Sequence, residues 1–174
     1  TISNPTVAVN VAGITMTSSG ALVNCKNEGD ITITGVDQNC IVAGIVQSVS
    51  SGAADKVNTL TNSAAITIDA KLTAARTIYM GGIAANAQYN NVPTHFNRCS
   101  NSGALKITKS GAYHMKGGAI GGIVAAITLG KSGTQGVNFT SFDNCSNSGS
   151  IAFYESERGD CPNSGDHGAY AVGG

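Results

Sequence analysis

Aromatic and charged residues are scarce in this sequence. It has no Trp, and aromatic residues make up 5% and charged residues 11% of its 174 positions. Ten Lys and Arg residues balance ten Asp and Glu residues, and no block of like charge occurs. Proteins that bind nucleic acid or an anionic membrane usually carry a basic patch, so we expect neither partner. The surface must be covered by Ser, Thr and Asn instead.

Long apolar runs and paired metal-binding cysteines are also missing. The longest apolar stretches, such as 119–129, are interrupted by Gly and Thr. They are shorter than the roughly 20 residues that a membrane span needs. The five cysteines include no C-x-x-C pair of the kind that binds zinc. We therefore expect no membrane-spanning segment, no metal and no cofactor.

The first residues contain no basic-then-apolar signal segment, which is expected of a mature protein or of an excised part of a longer one. An odd number of cysteines cannot all pair within one chain. Cys40 and Cys161 lie outside the repeated motif described below, so we expect these two to be exposed or paired. Whether either forms a disulfide is left open by the sequence.

A repeated motif, C-x-N-x-G-x-I-x-I, is the strongest signal in the sequence. Its four copies place their first position at Cys25, Leu60, Cys99 and Cys145, which lie 35, 39 and 46 residues apart. Leu60 replaces Cys in the second copy, so this position needs an apolar group and not a thiol. A period near 40 with variable spacers is typical of a solenoid or a propeller.

A second motif, G-G-I-V, follows each copy of the first. It occurs with small changes at 43–46, 81–84 and 121–124, begins again at 173–174, and has a remnant at 12–14. We expect its paired glycines to allow a close approach of neighbouring backbones or to mark a bend. Propeller blades need four strands and recurring aromatic residues, which this chain lacks, so the solenoid is favoured.

Apolar and polar residues alternate after each Asn-x-Gly segment, as in 31–33, 66–68 and 105–107. A period of two indicates a strand with one buried face. The Asn-x-Gly segment is typical of a turn, in which we expect Gly to adopt a positive φ.

Equivalent positions of a stacked solenoid lie directly above one another. We therefore predict three structural columns: an apolar column, an asparagine ladder with amides bonded along the stack, and a glycine column. The apolar column contains Cys25, Leu60, Cys99 and Cys145. The asparagine ladder contains Asn27, Asn62, Asn101 and Asn147, and the glycine column contains Gly29, Gly103 and Gly149.

The fold predicted from these patterns is all-β. It is a right-handed parallel β-solenoid, or β-helix, of about four imperfect repeats of 35–46 residues, and the handedness rests on the general rule for parallel connections. Residues 1–174 form one repeat region, cut through a repeat at both ends. Its repeat cores lie near 22–46, 57–84, 96–124 and 142–174. Whether each repeat is one coil or two is left open.

The spacers between the motifs are rich in Ser, Gly, Asn and Asp, which is typical of loops. They cover 47–56, 86–95, 130–140 and 156–168. Function concentrates in loops on a regular scaffold, so we expect any specific contact to be made there.

The alternation of N-C-x-N-x-G-x-I and G-G-I-V resembles the GLUG-type and related Gly-Gly-Ile-Val repeats of large secreted or surface-anchored bacterial proteins. The resemblance covers nearly the whole chain. It departs from the commonest version at Gln47, Ala85 and Ala125, where a Gly usually follows. The resemblance implies an adhesin-like or stalk-like β-solenoid outside the cell, and it brings no shared catalytic residues.

Several aromatic and imidazole side chains are candidates for facing a ligand, since sugars stack on aromatic rings. The alternative is that these tyrosines lie at the edge of the core with their hydroxyls in water. The candidates are Tyr89, His95, Tyr113 and His114.

Two charged groups were weighed as catalytic or metal sites. Carboxylates near the last motif lack the glycine-rich calcium-binding pattern of other β-rolls, so a solvated surface is favoured. A basic patch in the third repeat resembles the bases of polysaccharide lyases but has no acidic partner nearby in sequence. We predict no catalytic residue. The group near the last motif contains Glu155, Glu157, Asp160, Asp166 and His167. The basic patch contains Lys106, Lys109, His114 and Lys116.

Three functions follow as hypotheses. The first is a non-enzymatic structural or adhesive region of a secreted or cell-surface protein, which displays loops to a host or environmental glycan or protein. The second is a β-helix module that binds or degrades polysaccharide. The third is a subunit of an extracellular filament, whose open coil ends stack on adjacent repeats or subunits.

Overall fold

The computed structural model describes residues 1–49, 57–89, 94–113, 115–129, 140–155 and 170–173. For residues 88–89, 129 and 170–171 it describes the backbone only. These residues form 22 strands and no helix. The all-β prediction is therefore confirmed.

The chain winds through successive coils of five strands. The first coil contains β1 (Ile2–Ser3), β2 (Val9–Ala12), β3 (Thr15–Ser18), β4 (Leu22–Val23) and β5 (Lys26–Asn27). The second contains β6 (Ile31–Val36), β7 (Cys40–Ala43), β8 (Val46–Val49), β9 (Val57–Asn58) and β10 (Thr61–Asn62). The third contains β11 (Ile66–Lys71), β12 (Arg76–Gly81), β13 (Ala84–Tyr89), β14 (His95–Asn97) and β15 (Ser100–Asn101). The fourth contains β16 (Leu105–Ser110), β17 (Met115–Gly121), β18 (Val124–Leu129), β19 (Ser141–Asp143) and β20 (Ser146–Asn147), and the fifth contains β21 (Ile151–Glu155) and β22 (Tyr170–Gly173).

Each strand pairs with the equivalent strand of the next coil. Five sheets result: A (β1, β6, β11, β16, β21), B (β2, β7, β12, β17, β22), C (β3, β8, β13, β18), D (β4, β9, β14, β19) and E (β5, β10, β15, β20). Every pairing among the described strands is parallel. The parallel solenoid is confirmed, and one repeat is one coil that visits sheets A to E in turn. The right-handed sense stays a prediction.

Two apolar clusters fill the interior of the coils. One lies between sheets A and B and contains Ile33, Ile68 and Ile107 of sheet A. The other lies between sheets C and D and contains Leu60 and Phe96. Because the pairing is in register, each coil places the same kind of side chain above the previous one, and burial of these columns stabilises the stack.

A narrow waist separates the two clusters, and polar residues form it. The asparagines of sheet E lie on one side, and the glycines at the corner between sheets B and C lie on the other. A Cβ added at Gly44 would stand 2.1 Å from the carbonyl oxygen of Gly82 and 2.5 Å from Cγ of Asn62. The expected close approach of the paired glycines is thus present, between coils and across the waist.

The residue with left-handed backbone is not the glycine that the sequence predicts. Among the described residues, positive φ occurs at the position just before the apolar column, with φ between 53° and 56° at Asn24, Thr59, Arg98 and Asn144. Gly103 instead provides a close approach, since its Cβ would stand 1.9 Å from the carbonyl oxygen of Ala64. The predicted positive φ at this column was therefore wrong, because the left-handed residue lies three positions before the asparagine and not two positions after it.

Three of the five corners of the coil have a constant length. Sheets B and C are always joined by two residues, sheets D and E by two, and sheets E and A by three. The other two corners vary. The link from sheet C to sheet D runs over 19–21, 50–56, 90–94 and 130–140, and the link from A to B over 4–8, 37–39, 72–75, 111–114 and 156–169.

Two predictions, one about the spacers and one about Cys40, need correction. Residues 47–49 and 86–89 belong to strands β8 and β13, so the variable segments begin later than the sequence suggests. Cys40, expected to be exposed or paired, has a free thiol that is fully buried in the cluster between sheets A and B. Its register partner Ile78 explains this, since the position belongs to an apolar column. Cys161 lies outside the described residues.

Candidate functional site

The predicted asparagine ladder is present in the described structure. Asn27 donates through Nδ2 to Oδ1 of Asn62 at 2.9 Å, Asn62 donates to Asn101 at 2.7 Å, and Asn101 donates to Asn147 at 2.7 Å. The same nitrogens of Asn62, Asn101 and Asn147 also donate to the carbonyl oxygens two residues later. Both N–H bonds of Asn62 and of Asn101 are therefore used, which makes the ladder structural.

The apolar column follows the same stacking. Cys25, Leu60, Cys99 and Cys145 each belong to, or pack against, the cluster between sheets C and D. The described cysteines are all free thiols. Burial raises the pKa of the Cys99 thiol to about 12, and the neighbouring thiol of Cys145 acts in the same direction. Burial likewise raises the pKa of Cys40 to about 12. Such thiols are not poised as nucleophiles.

The candidate ligand-facing residues lie in different parts of the coil. His95 is half-buried in strand β14, where its Nδ1 is in hydrogen-bond contact with Oγ of Ser141. Tyr113 packs partly against the cluster between sheets A and B. The backbone of Tyr89 ends strand β13, and His114 lies outside the described residues. The structure therefore does not bring His95 and Tyr113 together.

Sequence reasoning did not identify the contact between His95 and Ser141. The two residues are register partners in adjacent strands, 46 positions apart. Only the repeat alignment carries a signal for this pair, because it places the residue before Phe96 above the residue before Phe142. Next to them, the buried hydroxyl of Thr94 has no hydrogen-bond partner.

The proposed basic patch does not form a single surface. Lys106 is exposed, and its Nζ lies 5.5 Å above the ring of Tyr154. Lys109 points inward, is 1% exposed, and donates to Gly111 O at 3.0 Å and to Glu155 Oε1 at 2.9 Å. The strand alternation separates the two lysines, so they cannot act on one substrate.

The acidic group near the last motif is described only at Glu155, which pairs with Lys109. Glu157, Asp160, Asp166 and His167 lie outside the described residues. Within the described ranges, no three His, Cys, Asp or Glu side chains lie close enough together to hold a metal ion. The same part of the chain contains no helix of the length and apolar character that a membrane span requires.

A cleft of about 440 Å³ lies at one end of the coil stack. The fifth coil covers sheets A and B there, and no described strand of that coil lies over sheets C, D and E. Its lining is mostly apolar and includes Ile120, Ile123, Val124, Phe142, Cys145 and Val172, together with Ser146 and Asn147.

Comparisons with known proteins give no relative. No family model matches the chain, and no curated protein and no solved structure matches it. The resemblance to Gly-Gly-Ile-Val repeats therefore rests on the sequence motifs alone.

Proposed function

We propose that this chain is a non-catalytic scaffold of a secreted or cell-surface protein, which holds variable loops along two edges of a coil stack. The loops would present binding surfaces to a glycan or a protein. The observation that supports this is the division of the coil into three corners of constant length and two of variable length.

Interior contacts restrict two of the three constant corners. The corner between sheets B and C holds the glycines that contact the ladder, as Gly44 contacts Asn62. The corner between sheets E and A follows the ladder, and Asn62 donates to the carbonyl oxygen of Ala64 in it. An insertion at either corner would shift the ladder out of register, so these corners tolerate no change in length.

The two variable corners each join the two sheets that enclose one apolar cluster. Sheets A and B enclose one cluster and sheets C and D enclose the other. The lengths of these links differ between coils even where one link bonds to the next, as Thr73 N donates to Oδ1 of Asp37, and long surface insertions cost little free energy. Loop variation at two opposite edges of a regular rod is the arrangement expected of a display scaffold.

Loop replacement tests this proposal. Replacing residues 50–56 and 130–139 by Gly-Ser linkers of equal length should leave the circular dichroism spectrum and the urea midpoint nearly unchanged. In contrast, inserting a Gly-Ser pair between Ser63 and Ala64, in the constant corner between sheets E and A, should shift the ladder out of register and unfold the chain, whereas the same insertion within 130–139 should be tolerated. An equal loss of stability at both kinds of corner would contradict the scaffold proposal.

Binding is measured on the same variants with glycan and protein arrays. A ligand retained by the unchanged chain should be lost by the loop-replaced chain that is still folded. Retention of that ligand, or an array on which the unchanged chain binds nothing, would count against the display role. Release of new reducing ends from a polysaccharide would overturn the non-catalytic assignment.

A further inference from the structure

Two thiols of the apolar column lie in adjacent coils. Cys99 and Cys145 occupy the same position of the repeated motif, in the third and fourth coils, and both contribute to the cluster between sheets C and D. Leu60 separates Cys25 from Cys99 in this column, and Cys40 belongs to the other cluster. Among the cysteines that the structure describes, Cys99 and Cys145 are therefore the only two that stack directly on one another.

The backbone holds these two cysteines in register. Just before them Asn97 pairs with Asp143, and just after them Ser100 pairs with Ser146. The residue that precedes each cysteine has the same φ of 53°, and Ser146 N donates to Cys99 O at 3.0 Å. The two turns therefore have the same shape, and the Cα atoms of the two cysteines lie about one strand spacing apart, roughly 4.8 Å.

A disulfide fits this separation. Disulfides usually join Cα atoms about 4.4–6.8 Å apart and Cβ atoms about 3.5–4.5 Å apart. Stacked side chains point the same way, so closure needs the two Cβ atoms to approach by up to about 1 Å. Sγ of Cys145 already lies 3.4 Å from Phe96 O in the preceding coil. Closure breaks only weak thiol hydrogen bonds, such as that from Cys99 to Asn97 O at 3.5 Å.

The environment of the Cys99 thiol agrees with a close pair of sulfurs. Burial is the main cause that raises the pKa of Cys99 to about 12. The thiol of Cys145 raises this pKa further, through its charge and through a side-chain hydrogen bond, whereas contacts with backbone groups of Leu60 and Asn97 lower it. Because a buried thiol with this pKa is protonated at neutral pH, we expect the pair to close while the chain folds, before Cys99 is buried.

The pair joins the two coils that have the longest connection in the column. Cys99 and Cys145 are 46 residues apart, whereas 35 and 39 residues separate the earlier members. This connection contains the link 130–140, from which strand β19 (Ser141–Asp143) returns to the stack just before Cys145. A cross-link restricts the unfolded chain more when the residues it joins are farther apart in sequence. A bond at this place would therefore stabilise the stack more than one between earlier members of the column.

We propose that Cys99 and Cys145 form a disulfide that fastens the fourth coil to the third. The oxidant is a small-molecule disulfide such as oxidised glutathione. One cysteine thiolate attacks it and releases one glutathione, and the other cysteine thiolate attacks the resulting mixed disulfide and releases the second. The two protein thiols lose two electrons and two protons, which end on the two glutathione thiols. Secreted proteins mature in oxidising surroundings, so the occurrence of this bond in nature rests on the proposed function.

Peptide mapping identifies the bond. The unchanged chain is unfolded and reduced in urea, refolded in a mixture of reduced and oxidised glutathione, alkylated and digested. Trypsin cleaves after Lys and Arg and leaves each of the five cysteines on a separate peptide. We expect peptide 99–106 to be joined to peptide 132–158 in the mass spectrum. A chain whose cysteines are all alkylated, or a different pair as the main product, would overturn the proposal.

Urea titration measures what the bond does to the stack. The oxidised chain should unfold at a urea concentration about 1 M higher than the same chain in reductant. Cys145→Ala should show one midpoint under both conditions. Cys25→Ala is the matched control, because Cys25 is half-buried at the same position of the motif, and it should keep the difference. Equal midpoints for the oxidised and reduced unchanged chain, or loss of the difference in Cys25→Ala, would overturn the fastening role.

These outcomes are separate from those of the display proposal. The bond forms from purified protein and added glutathione, so its formation does not depend on what the loops bind. Absence of the bond would overturn the pairing and leave the loop-replacement and array results unchanged. A chain that forms the bond but binds nothing on the arrays would support the disulfide and count against display.

Discussion

Gly82 lies directly against Asn101, so that a Cβ added at Gly82 would stand 2.6 Å from Cγ of that asparagine. The same relationship joins Gly13 to Asn27, and Gly122 to Asn147. Each pair connects one copy of G-G-I-V to one copy of C-x-N-x-G across the waist of the coil. The two motifs recur together because they are the two halves of one contact.

The glycine of this contact should not tolerate a side chain. Gly82→Ala would also bring its Cβ to 2.0 Å from Gly122 O, so backbone and ladder must move. We expect a loss of about 1–3 kcal/mol in the free energy of unfolding, measured in urea. Gly117→Ala is the control, because no atom lies within 4 Å of its Cβ position. Equal effects of the two changes would contradict the close contact.

The middle of the asparagine ladder should be more sensitive than an outward asparagine. Asn101→Leu leaves Asn62 Nδ2, Gly103 O and Asn147 Oδ1 without their partner. Each buried polar group that loses its bond costs about 1–3 kcal/mol. Asn97→Leu, on the outer face of sheet D, should cost far less in the same denaturant titration. A small effect at Asn101 would show that the ladder does not stabilise the stack.

The repeat made the architecture predictable. Equivalent positions at a period near 40 place strands in parallel register, and the alternation in 31–33 identifies the buried face of sheet A. The ladder follows from the same alignment, since an asparagine that recurs at every coil lies within hydrogen-bond reach of its copies above and below. These features depend on stacking, which a repeated sequence shows directly.

Other features had little or no signal in the sequence. The strands of sheets D and E have only two or three residues, too few to show a period, so the number of strands in each coil was not predictable. The left-handed position is filled by Asn, Thr, Arg and Asn in successive coils, which share no propensity. Alternation from Leu105 through Ile107 did point Lys109 inward, but its partner Glu155 lies 46 residues away.

Replacement of Thr59 by glycine should stabilise the fold. It is β-branched and has φ of 56°, a conformation that costs an L-residue about 1–2 kcal/mol. Part of that gain is offset by the greater freedom of glycine in the unfolded chain. We expect Thr59→Gly to raise the free energy of unfolding by about 0.5–1 kcal/mol. Asn144→Gly should raise the free energy of unfolding by less, since Asn tolerates a positive φ better than Thr does. If Thr59→Gly lowers the free energy of unfolding, the backbone at Thr59 is not strained.

Asp37 should make the stack more stable at neutral than at acidic pH. Burial raises the pKa of Asp37, but hydrogen bonds from the hydroxyl and N–H of Thr73 and the charge of Arg76 outweigh it, so its pKa lies below its ordinary value. Its contribution is therefore complete above the unfolded pKa, about 3.9, and is lost as the pH falls through the folded value. Asp37→Asn should be less stable than the unchanged chain at pH 7, and the difference should shrink towards pH 2. Asp69→Asn, which changes an exposed carboxylate, is the control for denaturant midpoints measured across this range.

Lys109 and Glu155 should respond unequally to mutation. Lys109 is buried in a column whose other members include Val36 and Ala70, and its Nζ lies 2.9 Å from Glu155 Oε1. Lys109→Met replaces a buried charge by an apolar side chain of similar length, so its free energy of unfolding should stay within about 1 kcal/mol of the original or rise. Glu155→Gln removes the carboxylate that the buried ammonium contacts and should cost about 1–3 kcal/mol. The double variant should recover most of that loss, and urea titrations in which Lys109→Met is the more damaging single change would contradict this account.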